Sequence, residues 1–200
     1  MKTHGFFAML SRMKYIARWG LMRNVRQENL SEHTLEVAYF AHALALLSGV
    51  DPARPVFCAL YHDCAEILTG DLPTPVKYGS AAIRDSYKQV ERAAAERLLA
   101  ALPDTLAAAY RPSFFEQDEL VLRIVKAADK LSALVKCIEE ERSGNRDFES
   151  AKRAQLEALR ALRLPAAGEF LKTFLPAYEL TLDAVSYTHL LQDVRRRLHT

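Results

Sequence analysis

Two histidines and three carboxylates, His33, His62, Asp63, Glu66 and Asp129, are the side chains of this sequence best suited to hold a metal ion or move a proton. His62-Asp63 sits in Phe57-Cys58-Ala59-Leu60-Tyr61-His62-Asp63-Cys64-Ala65-Glu66-Ile67-Leu68, a run that is otherwise largely apolar. Two imidazole nitrogens and two carboxylate oxygens suit a borderline divalent cation such as Mn²⁺, Co²⁺, Fe²⁺ or Zn²⁺. If the run is one helix, His62 and Glu66 stack, as do Asp63 and Glu66. His62 and Asp63 then diverge by about 100°, yet both are short enough to meet one ion above the edge between them.

His33, on the first turn of a predicted helix, and Asp129, within a later one, are the candidates for the remaining positions. Asp129 shares a helical stripe with Leu122, Val125 and Ala133, where an unpaired carboxylate is costly to bury. The ordinary account of it is an ion pair with Lys126 or Lys130; Ala127 and Ala128, which admit a neighbouring helix, favour a site. His33 alone reads as a helix-start histidine, and His62-Asp63 alone as either a site or a satisfied core pair. His42 reads as core packing, and His4, His189 and His199 carry no role.

The elements that must position these groups are helical throughout. Glycine is scarce and no alternating run makes a convincing strand. The pattern predicts a helix over 5–17, with Phe6, Met9, Leu10, Met13 and Ile16 on one face, then a loop over 19–26. A second helix starts near Asn29 or Ser31, either of which can cap it, and stops at Gly49. A third opens at Asp51-Pro52, carries His62-Asp63, and ends before 69–75, where two prolines and a glycine exclude helix. Further helices are expected over 79–101, briefly after Pro103, over 118–142, and over 147–188 with a division near Pro165. The fold class is all-α, a single compact domain over 1–185. The tail 186–200, with Arg195-Arg196-Arg197, is set apart as a solvated or non-native segment.

Composition bounds the function. With 27 Lys+Arg against 25 Asp+Glu, the net charge of +2 gives no overall footprint for a nucleic-acid polymer. No stretch approaches the ~20 apolar residues of a membrane span, and the N-terminal run lacks a signal peptide's apolar region. The three cysteines, Cys58, Cys64 and Cys137, form no C-x-x-C pair and read as buried free thiols in a reducing compartment. A soluble cytoplasmic protein is expected.

The order His33, His62-Asp63, Asp129 reproduces the H…HD…D signature of the HD-domain metal-dependent phosphohydrolases. Four longer stretches are similar to the bacterial HD-domain 5′-deoxynucleotidases: 17–26 (Ala-Arg-Trp-Gly-Leu-Met-Arg-Asn-Val-Arg), 28–33 (Glu-Asn-Leu-Ser-Glu-His), 61–78 (from Tyr-His-Asp-Cys-Ala-Glu to Pro-Val-Lys-Tyr) and 125–129 (Val-Lys-Ala-Ala-Asp). The likeness covers about residues 1–185. It departs in a shorter connection over 49–55 and in the ending from Ser186.

The resemblance implies an HD domain that hydrolyses deoxyribonucleoside 5′-monophosphates to deoxynucleoside and phosphate with a divalent-metal-activated water, as a homodimer. It implies that His33, His62, Asp63 and Asp129 hold one divalent cation (Co²⁺, Mn²⁺ or similar), with His33, Asp63 and Asp129 also touching substrate. Arg18 would orient the phosphate, Trp19 line the nucleotide pocket, and Asp71, Leu72, Pro73 and Thr74 meet the sugar. Glu66 or Asp63 would take the proton from water. The alternatives are an HD phosphohydrolase acting on deoxynucleoside triphosphates or guanosine polyphosphates, a nucleotide-binding HD module without turnover, or a structural helical bundle. A triphosphate pocket should need several basic residues near the metal, and Arg18 is the only clear candidate in a motif.

Overall fold

Local sequence signals set most of the helix ends in the computed structural model, which describes residues 3–77 and 79–185 and, of Thr74, the backbone alone. Helix α1 (Phe6–Leu10) is shorter than expected and passes into a 3₁₀ segment over Ser11–Tyr15. Its expected buried face survives: Phe6 and Met13 are buried, and Met9, Leu10 and Ile16 pack beside them. Helix α2 (Leu30–Leu47) starts at Asn29, whose side-chain oxygen accepts from the Ser31 and Glu32 amides while Glu32 answers the Asn29 amide. That reciprocal cap satisfies donors the first turn leaves open.

The third helix departs from expectation. Helix α3 (Ala53–Tyr61) stops before the His-Asp pair, and α4 (Glu66–Thr69) resumes after it. Between them the backbone tightens into three-residue steps, Cys64 N to Tyr61 O at 3.2 Å and Glu66 N to Asp63 O at 3.0 Å. Such winding is stable only in short pieces and often marks a functional point. The segment 69–75 also differs. After Gly70 (φ +75°), Thr74–Lys77 forms a single helical turn, α5. Pro73 precedes it and Pro75 lies in its first turn, where a missing amide hydrogen breaks no helical bond.

The remaining helices follow the expected order: α6 (Ala81–Leu99), α7 (Asp104–Phe114), α8 (Glu119–Arg142), α9 (Glu149–Ala161) and α10 (Pro165–Thr173). Asp118 caps α8 through the Leu120 and Val121 amides, and Pro165 opens α10. Among the described residues no strand forms; one isolated antiparallel bridge joins Ala17 to Asn29. The tail 186–200, with His189 and His199, lies outside the described residues.

Two apolar cores meet at α2. The larger joins α2, α3, α8, α9 and α10 around Val37, Phe40, Leu44, Ile124, Leu131, Leu134 and Phe170. The smaller gathers Phe6, Met13, Leu30, Cys64, Ile67, Leu98 and Leu99. His33 lies on α2 between Leu30 of the second core and Val37 of the first, so the His-Asp residues sit at the junction of two rigid bodies of side chains. Two apolar-stripe readings are corrected. His42 is exposed, because α2 turns Val37, Phe40, Ala41 and Leu44 inward and leaves Leu35, Tyr39, His42 and Leu46 outside. Leu122 is exposed too, so the stripe containing Asp129 leaves the core at its start. All three cysteines are buried and free, as expected.

Candidate functional site

The break after Tyr61 lets adjacent residues converge. His62 Nε2 and Asp63 Oδ2 are 3.2 Å apart, and Asp63 Oδ2 is 3.6 Å from His33 Nε2. Asp129 Oδ1 reaches His33 Nε2 at 3.4 Å. Donor atoms of His33, His62 and Asp129 all lie within 4.8 Å of one another. The close approach of α8 rests on Ala127 and Ala128, both fully buried. Asp129 also contacts Lys130 at 3.0 Å, so the ion pair weighed from sequence coexists with the cluster.

The donor set fits a divalent cation. The Nε2 atoms of His33 and His62 are both buried without a hydrogen-bond partner, a costly state that a coordinated ion would relieve. Their other nitrogens are committed: His62 Nδ1 donates to Ala59 O at 2.7 Å, and His33 Nδ1 lies 2.9 Å from Ser132 Oγ. Ser132 Oγ itself donates to Glu36 Oε2 at 2.6 Å, so it accepts from His33. Both rings therefore turn a lone pair toward the cluster, the usual support behind a metal-ligating histidine. Without a cation, the carboxylates favour a proton in its place: burial opposes charge on His62, but Asp63 outweighs it and raises the imidazole to about 9. Burial likewise opposes ionisation of Asp63 and Asp129, yet the neighbouring histidines, with Lys130 beside Asp129, hold both below the carboxylate range. The carboxylates create a field that calls for positive charge.

Glu66 opens α4 and does not continue the helix that ends before His62. It is buried, with Oε1 accepting from Lys77 Nζ at 2.6 Å and Oε2 without a partner. Burial, then the Asp63 charge, raise its carboxyl to about 8 against the pull of Lys77.

Two cavities open beside the cluster. One of about 220 Å³ is lined by Arg18, Asp63, Glu66, Asp71, Lys77 and Asp129, with Lys88, Lys130 and Arg84 at its wall. The other, about 510 Å³, runs along Trp19 to Met22, Asp71, Leu72, Pro73 and Pro75 to the face of α9 that carries Ser150, Ala154 and Gln155. Arg18, Asp71, Leu72, Asp129 and Lys130 border both. The structure thus brings together every residue singled out from sequence except Thr74, whose side chain lies outside what is described. Sequence reading weighed Lys130 only as a partner of Asp129, and missed Lys77, Lys88 and the α9 face. Lys77 stands in a quoted stretch and could have been marked; Lys88 and the α9 face carry no local signal.

The loop bearing Arg18 and Trp19 is tied to the scaffold by buried charge. Glu140, 1% exposed, accepts from the Val25 and Arg26 amides at 2.8 and 3.1 Å and from Asn145 Nδ2 at 2.7 Å. Lys136 Nζ donates to the same carboxylate and to Arg26 O. Glu140→Ala leaves Lys136 buried and unpaired, and is expected to lower unfolding free energy by about 3–5 kcal/mol. Urea denaturation checks this; a loss under about 1 kcal/mol contradicts it.

A second expectation concerns pH. Burial pushes the Glu36 carboxyl up to about 7, against its Ser132 hydrogen bond. The folded state thus holds this proton more tightly than the unfolded chain, whose carboxyl titrates near 4.5. The stabilisation is full below about 4.5 and lost as pH rises through about 7. Glu36→Gln, neutral throughout, should gain on the wild type between about pH 5 and 8, read as Tm; a difference independent of pH contradicts it.

Comparison with known proteins points the same way. The family model described as 5′-deoxynucleotidase YfbR-like matches residues 5–178. A 5′-deoxynucleotidase of Erwinia tasmaniensis is 46% identical over 193 residues, covering 92% of this chain and 98% of that protein. One from Vibrio atlanticus is 45% identical over 194 residues, covering 93% and 100%. Among solved structures, an HD-domain phosphohydrolase from Listeria innocua superposes with a TM-score of 0.77 at 24% identity, covering 97% of this chain and 98% of its own. A cyanophage S-2L HD phosphohydrolase, bound to dA and one catalytic Zn²⁺ ion, superposes at 0.64 with 19% identity, covering 87% and 96%. These two likenesses concern the fold.

Proposed function

The chain belongs to the YfbR-like 5′-deoxynucleotidase family, and from that premise we propose that it hydrolyses deoxyribonucleoside 5′-monophosphates to deoxynucleoside and inorganic phosphate. The observation that carries the reading is the pair of buried, partnerless imidazole nitrogens facing two aspartates, of which Asp63 lines the smaller cavity and Asp129 both. His33, His62, Asp63 and Asp129 would hold one divalent cation. Such an ion polarises a phosphoryl group and acidifies water.

The chain's own groups divide the remaining work. Arg18 presents a planar fork that can grip two phosphate oxygens, and His33, Asp63 and Asp129 border the same phosphate. Glu66 Oε2 is free to accept a proton from the attacking water; Asp63, held far below neutrality, is the weaker base. Water adds to phosphorus, the bond to O5′ breaks, and the deoxynucleoside leaves with a proton on O5′. Trp19, Leu72, Pro73 and Thr74 would flank the nucleoside in the larger cavity, with Asp71 against the sugar hydroxyls.

Finer assignments belong to the same proposal. One divalent cation, Co²⁺, Mn²⁺ or similar, is supported by the mixed nitrogen and oxygen donors. A cytoplasmic setting is supported by three free thiols, and no described helix is long and apolar enough to cross a membrane. A homodimer is supported by the exposed stripe Leu35, Tyr39 and Leu46 on α2. One HD domain over about 1–185 is supported by the family match to residues 5–178. Phosphate release from deoxynucleoside monophosphates with and without chelator tests the activity: release only with Mn²⁺ or Co²⁺ is expected, and none under any metal would end the reading.

A further inference from the structure

We infer that Glu28 is a positioning residue that sets Arg18 and Trp19 as one unit, coupling the phosphate grip to the wall of the nucleoside cavity; the inference rests on the proposed function. One oxygen, Glu28 Oε2, accepts from Arg18 Nε and from Trp19 Nε1, each at 3.0 Å. The Arg18 and Glu28 side chains are 11% and 12% exposed, so little water competes. The main chain repeats the link: Arg18 N donates to Glu28 O at 2.9 Å, and Leu30 N to Ile16 O at 2.9 Å. With Nε engaged, the guanidinium has its Nη atoms left to face the cluster, where Nη1 lies 3.4 Å from Asp63 Oδ2.

Trp19 needs such a fixture. Its φ of +59° is a left-handed conformation that a bulky residue adopts only when its surroundings enforce it. Three contacts do so: the Glu28 oxygen, the Phe148 ring at 5.2 Å, and Asn24 Nδ2 donating to Trp19 O at 3.3 Å. Glu28 itself lines neither of the two site cavities. It borders a separate pocket behind them with Arg26, Glu32, Glu36, Lys136 and Glu139. It therefore acts through Arg18 and Trp19 rather than on substrate.

Trp19 is the only tryptophan of the chain, so its fluorescence reports on this unit directly. Glu28→Gln keeps the shape and removes the charge that two donors share. It is expected to shift the emission of the free protein and to lower kcat/KM for a deoxynucleoside monophosphate by about 10–100-fold, most of it through KM. Mn²⁺ affinity by calorimetry should stay within about twofold, because no metal donor is lost. Trp19→Phe serves as the second background, since it removes the indole hydrogen bond while keeping an aromatic ring; there Glu28→Gln should lose part of its effect on KM. Glu28→Asp, which keeps the charge but shortens the reach, should shift the emission in the same sense if Glu28→Gln fails to fold. Unchanged emission with KM within about twofold of wild type overturns the inference, as does a fall in Tm alone. If the wild type hydrolyses no mononucleotide, the proposed function fails, while the emission shift still tests the Glu28 link.

Discussion

His62→Ala is expected to reduce phosphate release by at least about 10³-fold and to abolish tight Mn²⁺ binding. Loss of the cation forfeits several kcal/mol of charge stabilisation and the acidified water together, and each 1.36 kcal/mol is worth about tenfold. Position explains why the remaining residues cannot compensate. His62 sits where the backbone leaves α3, its Nδ1 fixed on Ala59 O and its Nε2 facing Asp63 at 3.2 Å. Deleting the ring leaves Asp63 and Asp129 with one imidazole between them and opens space for water. His4→Ala, at an exposed position ahead of α1, should leave turnover within about twofold. Calorimetry and a phosphate assay on both variants check the pair. A His62→Ala enzyme within about tenfold of wild type would place the metal elsewhere.

Asp71→Ala is expected to erase the preference for deoxyribose over ribose. Asp71 borders both cavities, between Gly70 in its left-handed turn and Pro73 at the start of α5. Burial pushes its carboxyl up, against the pull of Arg18, so it is a half-desolvated acceptor that a sugar hydroxyl can satisfy. In the proposed site the 2′ carbon of a deoxynucleotide would leave the neighbouring wall of Leu72 and Pro73 undisturbed. A ribose would press a hydroxyl against that wall, and leaving such a group without a partner costs about 1–3 kcal/mol. The wild type should therefore favour the deoxy series by about 5- to 150-fold. Alanine removes the acceptor that fixes the ring, so the two series should converge to within about threefold, mainly through slower deoxynucleotide turnover. Kinetics on matched deoxy and ribo substrates read this directly, and a preference that survives the substitution would take Asp71 out of the sugar site.

Much of this site was legible because its parts are rare residue types in apolar company. His62-Asp63 announces itself within one helix-sized run, and Asp129 breaks an apolar stripe. Helix ends marked by Asn29, Gly49, Asp118 and Pro165 were equally visible, since caps and breakers act over three or four residues. What escaped was anything fixed by contacts between distant segments. The interruption at 62–65 has no Gly or Pro to betray it; it arises because α3 and α4 pack into different cores. Ser132 behind His33 and Glu28 behind Arg18 and Trp19 are ordinary polar residues until the fold brings them into contact. His42 went the other way: its helix is apolar on two sides, so composition could not say which side faces in.

The most direct test of the whole account is phosphate release from matched deoxy- and ribonucleoside 5′-monophosphates, with deoxynucleoside triphosphates alongside, by metal-free protein resupplied with Mn²⁺ or Co²⁺. Metal-dependent release of inorganic phosphate from the deoxy monophosphates, with the ribo series at least about fivefold slower, is the expected outcome. Equal rates on ribonucleotides, or pyrophosphate or triphosphate released in preference to phosphate, would contradict it.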